Sequence, residues 1–97
     1  MTEDTGKDLQ RAHVYVSGNV QGVFFRESAR KKAKEFGLAG WIENLPDGRV
    51  EAVFEGSPDD VRRMTQWCEE GPPHATVEDV EVREEDAGGD LRGFEVR

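Results

Sequence analysis

The segment Ser17-Gly18-Asn19-Val20-Gln21-Gly22-Val23-Phe24-Phe25-Arg26 constrains this chain more than any other. Before it, Ala12, Val14 and Val16 alternate with His13, Tyr15 and Ser17, the period-two pattern of a strand with one buried face over residues 11–18. After it, Phe25, Ala29, Ala33 and Phe36 fall at helical spacing, and Gly37 stands where a helix C-terminal glycine belongs. The chain therefore leaves a strand and opens a helix through a glycine-punctuated turn. Arg26 lies in the first helical turn, where the positive end of the helix dipole makes a cation unfavourable by about 0.3–1 kcal/mol. Such a conflict is expected where a site needs the charge. Unpaired N–H groups, two glycines that admit close backbone approach and a guanidinium together make a cradle for a phosphate-like anion. The same residues also fit an ordinary strand-to-helix connection whose arginine points to solvent.

Downstream, Leu38 to Leu45 reads as a second strand, Pro46-Asp47-Gly48 as a turn and Arg49 to Glu55 as a third strand, forming a hairpin. A second helix starts at a Ser57 cap with Pro58 at its first position and Asp59 and Asp60 in its first turn. Val61, Met64, Thr65 and Cys68 form its inward stripe, and Gly71-Pro72-Pro73 ends it. Val80 and Val82 alternate in a fourth strand, with Val77 out of phase, which predicts a bulge or a later strand start. Ala87-Gly88-Gly89-Asp90 is a flexible connection, and Phe94 and Val96 mark a short last strand. The order β-α-β-β-α-β predicts an α+β domain, a ferredoxin-like α/β sandwich with two helices on one face of an antiparallel sheet. Its 97 residues allow one core. Residues 1–10, polar and acidic, read as a flexible N-terminal arm before a single domain at 11–97.

Charge narrows the function classes. Asp and Glu number 21 against 13 Lys and Arg, a net charge of −8, and only Lys7, Lys31, Lys32 and Lys34 are lysines. An acidic, lysine-poor surface suits high salt, which screens its self-repulsion, and a merely acidic mesophile protein is the plainer alternative. A ferredoxin-like nucleic-acid binder would carry aromatic and basic residues on its open sheet face, whereas this face is expected to hold Glu51 and Glu55 beside His13 and Tyr15. Nucleic acid is therefore excluded as a partner. With no apolar run long enough for a bilayer and no internal disulfide possible for the single Cys68, a cytoplasmic protein without a membrane partner is expected.

Asn44 shares a strand face with Ile42 and should emerge near the strand end on the helix-covered side. Its carboxamide both donates and accepts, so it can orient a water molecule. From the hairpin alone, an asparagine that stabilises the following turn is the simpler account.

Two segments resemble the signatures of the acylphosphatase family. In the first, SGNVQGVFFR, the residues Gly18, Val20, Gln21, Gly22, Val23, Phe25 and Arg26 match the pattern. In the second, from Gly40 to Gly56, Gly40, Trp41, Asn44, Gly48, Val50 and Gly56 fall at the family spacings, and Phe94-Glu95-Val96-Arg97 resembles the family's end. The resemblance implies hydrolysis of a carboxyl-phosphate anhydride to a carboxylate and inorganic phosphate, without metal or cofactor. It maps the phosphate-binding arginine onto Arg26, the water-positioning asparagine onto Asn44, and the backbone cradle onto Val20, Gln21, Gly22, Val23, Phe24 and Phe25. A small acyl phosphate is the implied partner and a monomer the expected state. The chain departs from the family at Glu43, where a basic or neutral residue is usual, and at Ile42, slightly larger than usual. Glu43 should face away from Asn44.

The remaining chemistry-bearing residues read more plainly. His13 and His74 have no third metal ligand near them in sequence, and Cys68 belongs to a core stripe. Arg30, Lys31 and Lys34 form a basic patch on the first helix, a solvated face that also suits steering of anions. A binding module that keeps the cradle without turnover is the competing reading, and Asn44 discriminates, since a pure binder has no use for a water-orienting group.

Overall fold

The computed structural model describes residues 8–97. Its elements are β1 (Gln10–Asn19), α1 (Phe25–Glu35), β2 (Ala39–Asn44), β3 (Val50–Gly56), α2 (Pro58–Glu70), β4 (Thr76–Glu85) and β5 (Phe94–Val96). They form one five-stranded sheet in the order β4-β1-β3-β2-β5. The expected element order and ferredoxin-like architecture are present. Residues 1–7 of the expected arm lie outside the described residues, and Gln10 already pairs with Gly56 as the first residue of β1.

One expectation needs correction. The sheet is mixed, because β5 runs parallel to β2, with Gly40 opposite Phe94 and Ile42 opposite Val96. The cause is topological. β4, at the far edge, is antiparallel to β1 and finishes at the sheet end where β2 starts, so a chain that crosses that end without doubling back must run along β2 in the same direction. That crossing is anchored by Glu55, which is only 4% exposed. Its carboxylate accepts from Arg11 Nε at 2.7 Å and from the Gly89 N–H at 3.0 Å, so the buried charge is both paired and hydrogen-bonded.

The core follows the two periodicities. Val14, Val16, Ile42 and Phe54 point from one sheet face into Phe25, Ala29 and Ala33 of α1 and Val61, Met64 and Cys68 of α2. Each large side chain buried in this way contributes about 1.5–3 kcal/mol. The out-of-phase Val77 marks a bulge: Ser17 pairs with Asp79 but Gly18 with Val77, leaving Glu78 as the extra residue. Gly18 fits that bulge at φ 128°, where an added Cβ would stand 2.2 Å from the Thr76 carbonyl oxygen.

The opposite sheet face is polar, as expected. His13 packs on Tyr15 with ring centroids 5.0 Å apart and meets the edge of Trp41 at 5.9 Å. Glu43 is on this side, directly across the β2–β3 ladder from Glu51. It therefore faces away from Asn44.

Candidate active site

The segment between β1 and α1 is held at its ends and open in its middle. Val20 is buried at one end, and Phe25 is buried at the other against Trp67 of α2, ring centroids 5.3 Å apart. Gln21 supplies a third anchor. Its Nε2 donates to the Leu45 carbonyl at 2.8 Å and the Arg49 carbonyl at 2.9 Å, clamping the loop to the turn just past Asn44. Between these anchors Gly22 adopts φ 74°, a conformation that suits glycine, and its missing side chain leaves open space.

Phe24, the residue before α1, is also left-handed, at φ 65° and ψ 24°, and its side chain makes no cap. Among the described residues, the backbone N–H groups of Gln21, Gly22, Val23 and Phe24 donate to no protein acceptor. The first helical bond, Ser28 N–H to the Phe24 carbonyl, leaves the helix start with its usual unpaired donors as well. A run of backbone donors thus meets the positive end of a helix, which is the arrangement that binds anions.

Arg26 projects from the first turn of α1, half-buried, with Nη1 donating to the backbone oxygen of Arg97. Arg97 is placed by its own N–H, which donates to the Ile42 carbonyl at 2.8 Å. One guanidinium donor is used to fix the fork, and the others stay available for an anion. Asn44 approaches from the end of β2. Its Oδ1 is buried and has no hydrogen-bond partner, an acceptor that is costly to leave unmet. Val20, Gly22, Phe24, Phe25, Arg26, Glu27, Asn44 and Val96 line one cleft of about 290 Å³, close to the small end of the roughly 300–1,000 Å³ range of ligand sites. The fold therefore brings Arg26, Asn44 and residues of the glycine loop to one place.

Glu27 also lines the cleft and carries the one carboxylate among its lining residues. It is held by Arg30, whose Nη2 donates to it at 2.7 Å and whose contact lowers the Glu27 pKa from its ordinary value. The basic patch is thus partly engaged at home, with Lys31 and Lys34 exposed. Cys68 is inert: burial, with Glu69 adding to it, pushes its thiol up to about 12. His74 is exposed in the segment after α2, and no group of three His, Cys, Asp or Glu among the described residues is placed to hold a metal ion.

Three contributions escaped the sequence reading. The Gln21 clamp depends on a hairpin turn distant in sequence. The Arg97 oxygen reaches Arg26 only because β5 runs parallel to β2. The left-handed Phe24 carries no glycine or asparagine signal.

With the geometry established, comparison with known proteins is direct. The sequence profile of the acylphosphatase family matches residues 12–96. An acylphosphatase of Rubrobacter xylanophilus is 60% identical over 94 residues, covering 97% of this chain and 86% of that protein. An acylphosphatase structure from Coxiella burnetii superposes with a TM-score of 0.91 at 47% identity, over 99% of this chain and 100% of that one. An acylphosphatase crystal structure from Bacillus subtilis gives 0.87 at 32% identity, over 91% and 98%.

Proposed function

The chain belongs to the acylphosphatase family and is an enzyme of acyl phosphate hydrolysis, and on that premise we propose how its own residues divide the work. The phosphoryl group of a small acyl phosphate sits against the backbone N–H groups of residues 20–25 and the guanidinium of Arg26. Asn44 holds a water molecule with its carboxamide and aims the water's oxygen at phosphorus. A P–O bond forms to water while the bond from phosphorus to the acyl oxygen breaks, and the carboxylate leaves with the electron pair. The water's proton passes to a phosphoryl oxygen, so the products are a carboxylate and dihydrogen phosphate.

This chemistry asks little of the protein beyond placement and charge. A carboxylate leaves without a general acid, and a loose phosphoryl-transfer transition state is helped chiefly by positioning and electrostatics. Arg26 and the amide donors supply the positive field directly, so the mechanism calls on no metal and no cofactor. The observation that carries the reading is the meeting of Arg26, Asn44 and the unpaired amide donors of Gly22 and Phe24 in the lining of one cleft.

Phosphate release from acetyl phosphate in ¹⁸O-labelled water, with a chelator present, tests it. Label is expected in the released phosphate, at a rate the chelator does not change. Label in the carboxylate would move the attack to the acyl carbon, and loss of activity restored by one divalent ion would require a different source of charge.

A further inference from the structure

We propose that Phe24 is the specificity-determining residue for the acyl half of the substrate, favouring acyl groups with a flat apolar face such as an aromatic ring. The inference rests on the reading above, in which the phosphoryl half is held by Arg26 and the 20–25 backbone.

The ring of Phe24 is 77% exposed, the most exposed large apolar side chain among the described residues, and it lines the cleft with Arg26 and Asn44. Its backbone sits at φ 65°, where a bulky residue is strained and glycine or asparagine would be at ease. Neither burial nor capping offsets that strain, since the ring is largely in solvent and the side chain bonds no helix N–H. A strained residue with no structural return, at the rim of a ligand cleft, fits a binding role. The position also rules out half of the substrate. Phosphoryl oxygens need donors, and the donors of the cleft are the amides and Arg26. The ring, with Val20 and Val96 as further apolar lining, is matched to the organic half. An aromatic acyl group can lie against Phe24, whereas an acetyl group presents one methyl. The contact is made before and during the reaction alike, so it should appear in KM more than in kcat.

The test compares benzoyl phosphate with acetyl phosphate in the wild type, Phe24→Asn, Phe24→Gly and Phe24→Tyr. Asparagine and glycine both accept the left-handed backbone, so loss of the ring is separated from collapse of the loop, and thermal unfolding verifies the fold. The readout is the ratio of kcat/KM for benzoyl over acetyl phosphate, in which any shared change in phosphoryl binding cancels. It should fall by about threefold to tenfold in the Asn and Gly variants, mainly through KM, and return in Phe24→Tyr. An unchanged ratio in the Asn and Gly variants, or a Tyr variant that behaves like them, would overturn the role of Phe24. Failure of the underlying reading looks different: wild-type turnover of both substrates would then survive Arg26→Ala.

Discussion

The two helices of this domain start in opposite ways. At α2 the chain satisfies its own helix end. The Ser57 Oγ accepts from the Asp60 N–H at 3.3 Å and donates to the Asp60 carboxylate at 2.8 Å, Pro58 occupies the first turn, and Asp59 and Asp60 complement the dipole. At α1 the cap and the proline are missing, and Glu27 alone complements the dipole. The preceding residue is a left-handed phenylalanine with no capping bond, and a cation stands in the first turn. A lost cap costs about 1 kcal/mol, a left-handed non-glycine residue about 1–2, and a cation at the dipole's positive end about 0.3–1. Against a typical net stability of about 5–15 kcal/mol, that is a large concession for one turn of helix. On the proposed reading, one helix start is built to hold the fold and the other to hold a ligand.

The strongest way to break this comparison is to remove the cation. Arg26→Ala should lower kcat/KM by on the order of 10²–10³ or more, as expected for a preorganised charge aimed at the transferred group. Its thermal midpoint should hold or rise, because an unfavourable charge has left the helix start. Arg26→Lys should remain severely impaired, since an ammonium cannot reproduce the guanidinium fork. Near-wild-type steady-state constants for the lysine variant would show that α1 is not the charged partner.

Asn44→Ala should remove most of kcat while the Kd for inorganic phosphate, measured by calorimetry, stays within about twofold. A Kd that climbs in step with the loss of turnover would assign Asn44 to the phosphoryl group and not to water.

The mirror-image experiment is Ser57→Ala. It should cost about 1 kcal/mol in urea unfolding and leave kcat/KM unaltered. A catalytic defect there would mean the two helix starts are not separable.

A smaller effect concerns pH. His13, on the face opposite both helices, has each ring nitrogen 2.6 Å from a carboxylate oxygen, Nε2 to Glu51 and Nδ1 to Glu85. Two such contacts need two N–H donors, hence the imidazolium. Burial opposes that charge, but the bonds to Glu51 and Glu85 outweigh it and raise the His13 pKa, while Glu51, despite its own desolvation, is lowered by His13 and Tyr15. The His13 contribution is therefore complete below its ordinary pKa of about 6.5 and lost as pH rises through the raised value. The Glu51 contribution is complete above its ordinary range, about 4.3, and lost as pH falls through the lowered value. Stability should peak at about pH 5–6, and urea unfolding of His13→Gln should flatten the alkaline decline. If the pH profile of phosphate affinity changed in His13→Gln, the open face and α1 would be coupled.

Salt should separate the two roles by sign. With a net charge of −8, self-repulsion is screened as potassium chloride rises toward about 1 M, so the unfolding midpoint should climb. Attraction between α1 and phosphate is screened too, so its Kd should weaken. A midpoint that stays flat or falls would remove the high-salt reading and leave the catalytic one standing.

Much of this was legible in the sequence because it rests on local rules. Period-two alternation gave β1, the Ser57-Pro58 signature gave α2, and the cation in the first turn of α1 was visible as a conflict before any fold was known. Asn44 was placed correctly by alternation from Ile42. What escaped depends on neighbours brought together late. The parallel β5 follows from which sheet end the chain reaches after β4, and the Gln21 clamp from a turn more than twenty positions away. Phe24 escaped for another reason: its conformation runs against its residue type, so no propensity argument could point to it.

The central claim, that the start of α1 is the anion site and the start of α2 is not, is tested most directly by titrating the protein with inorganic phosphate and following backbone amides by NMR. Saturable shifts should concentrate on residues 20–27, with the Asn44 side chain responding, and should vanish in Arg26→Ala. The amides of Ser57 to Val61 should stay still. Shifts centred on the α2 start, or a response in the 20–27 loop that persists without Arg26, would contradict the account.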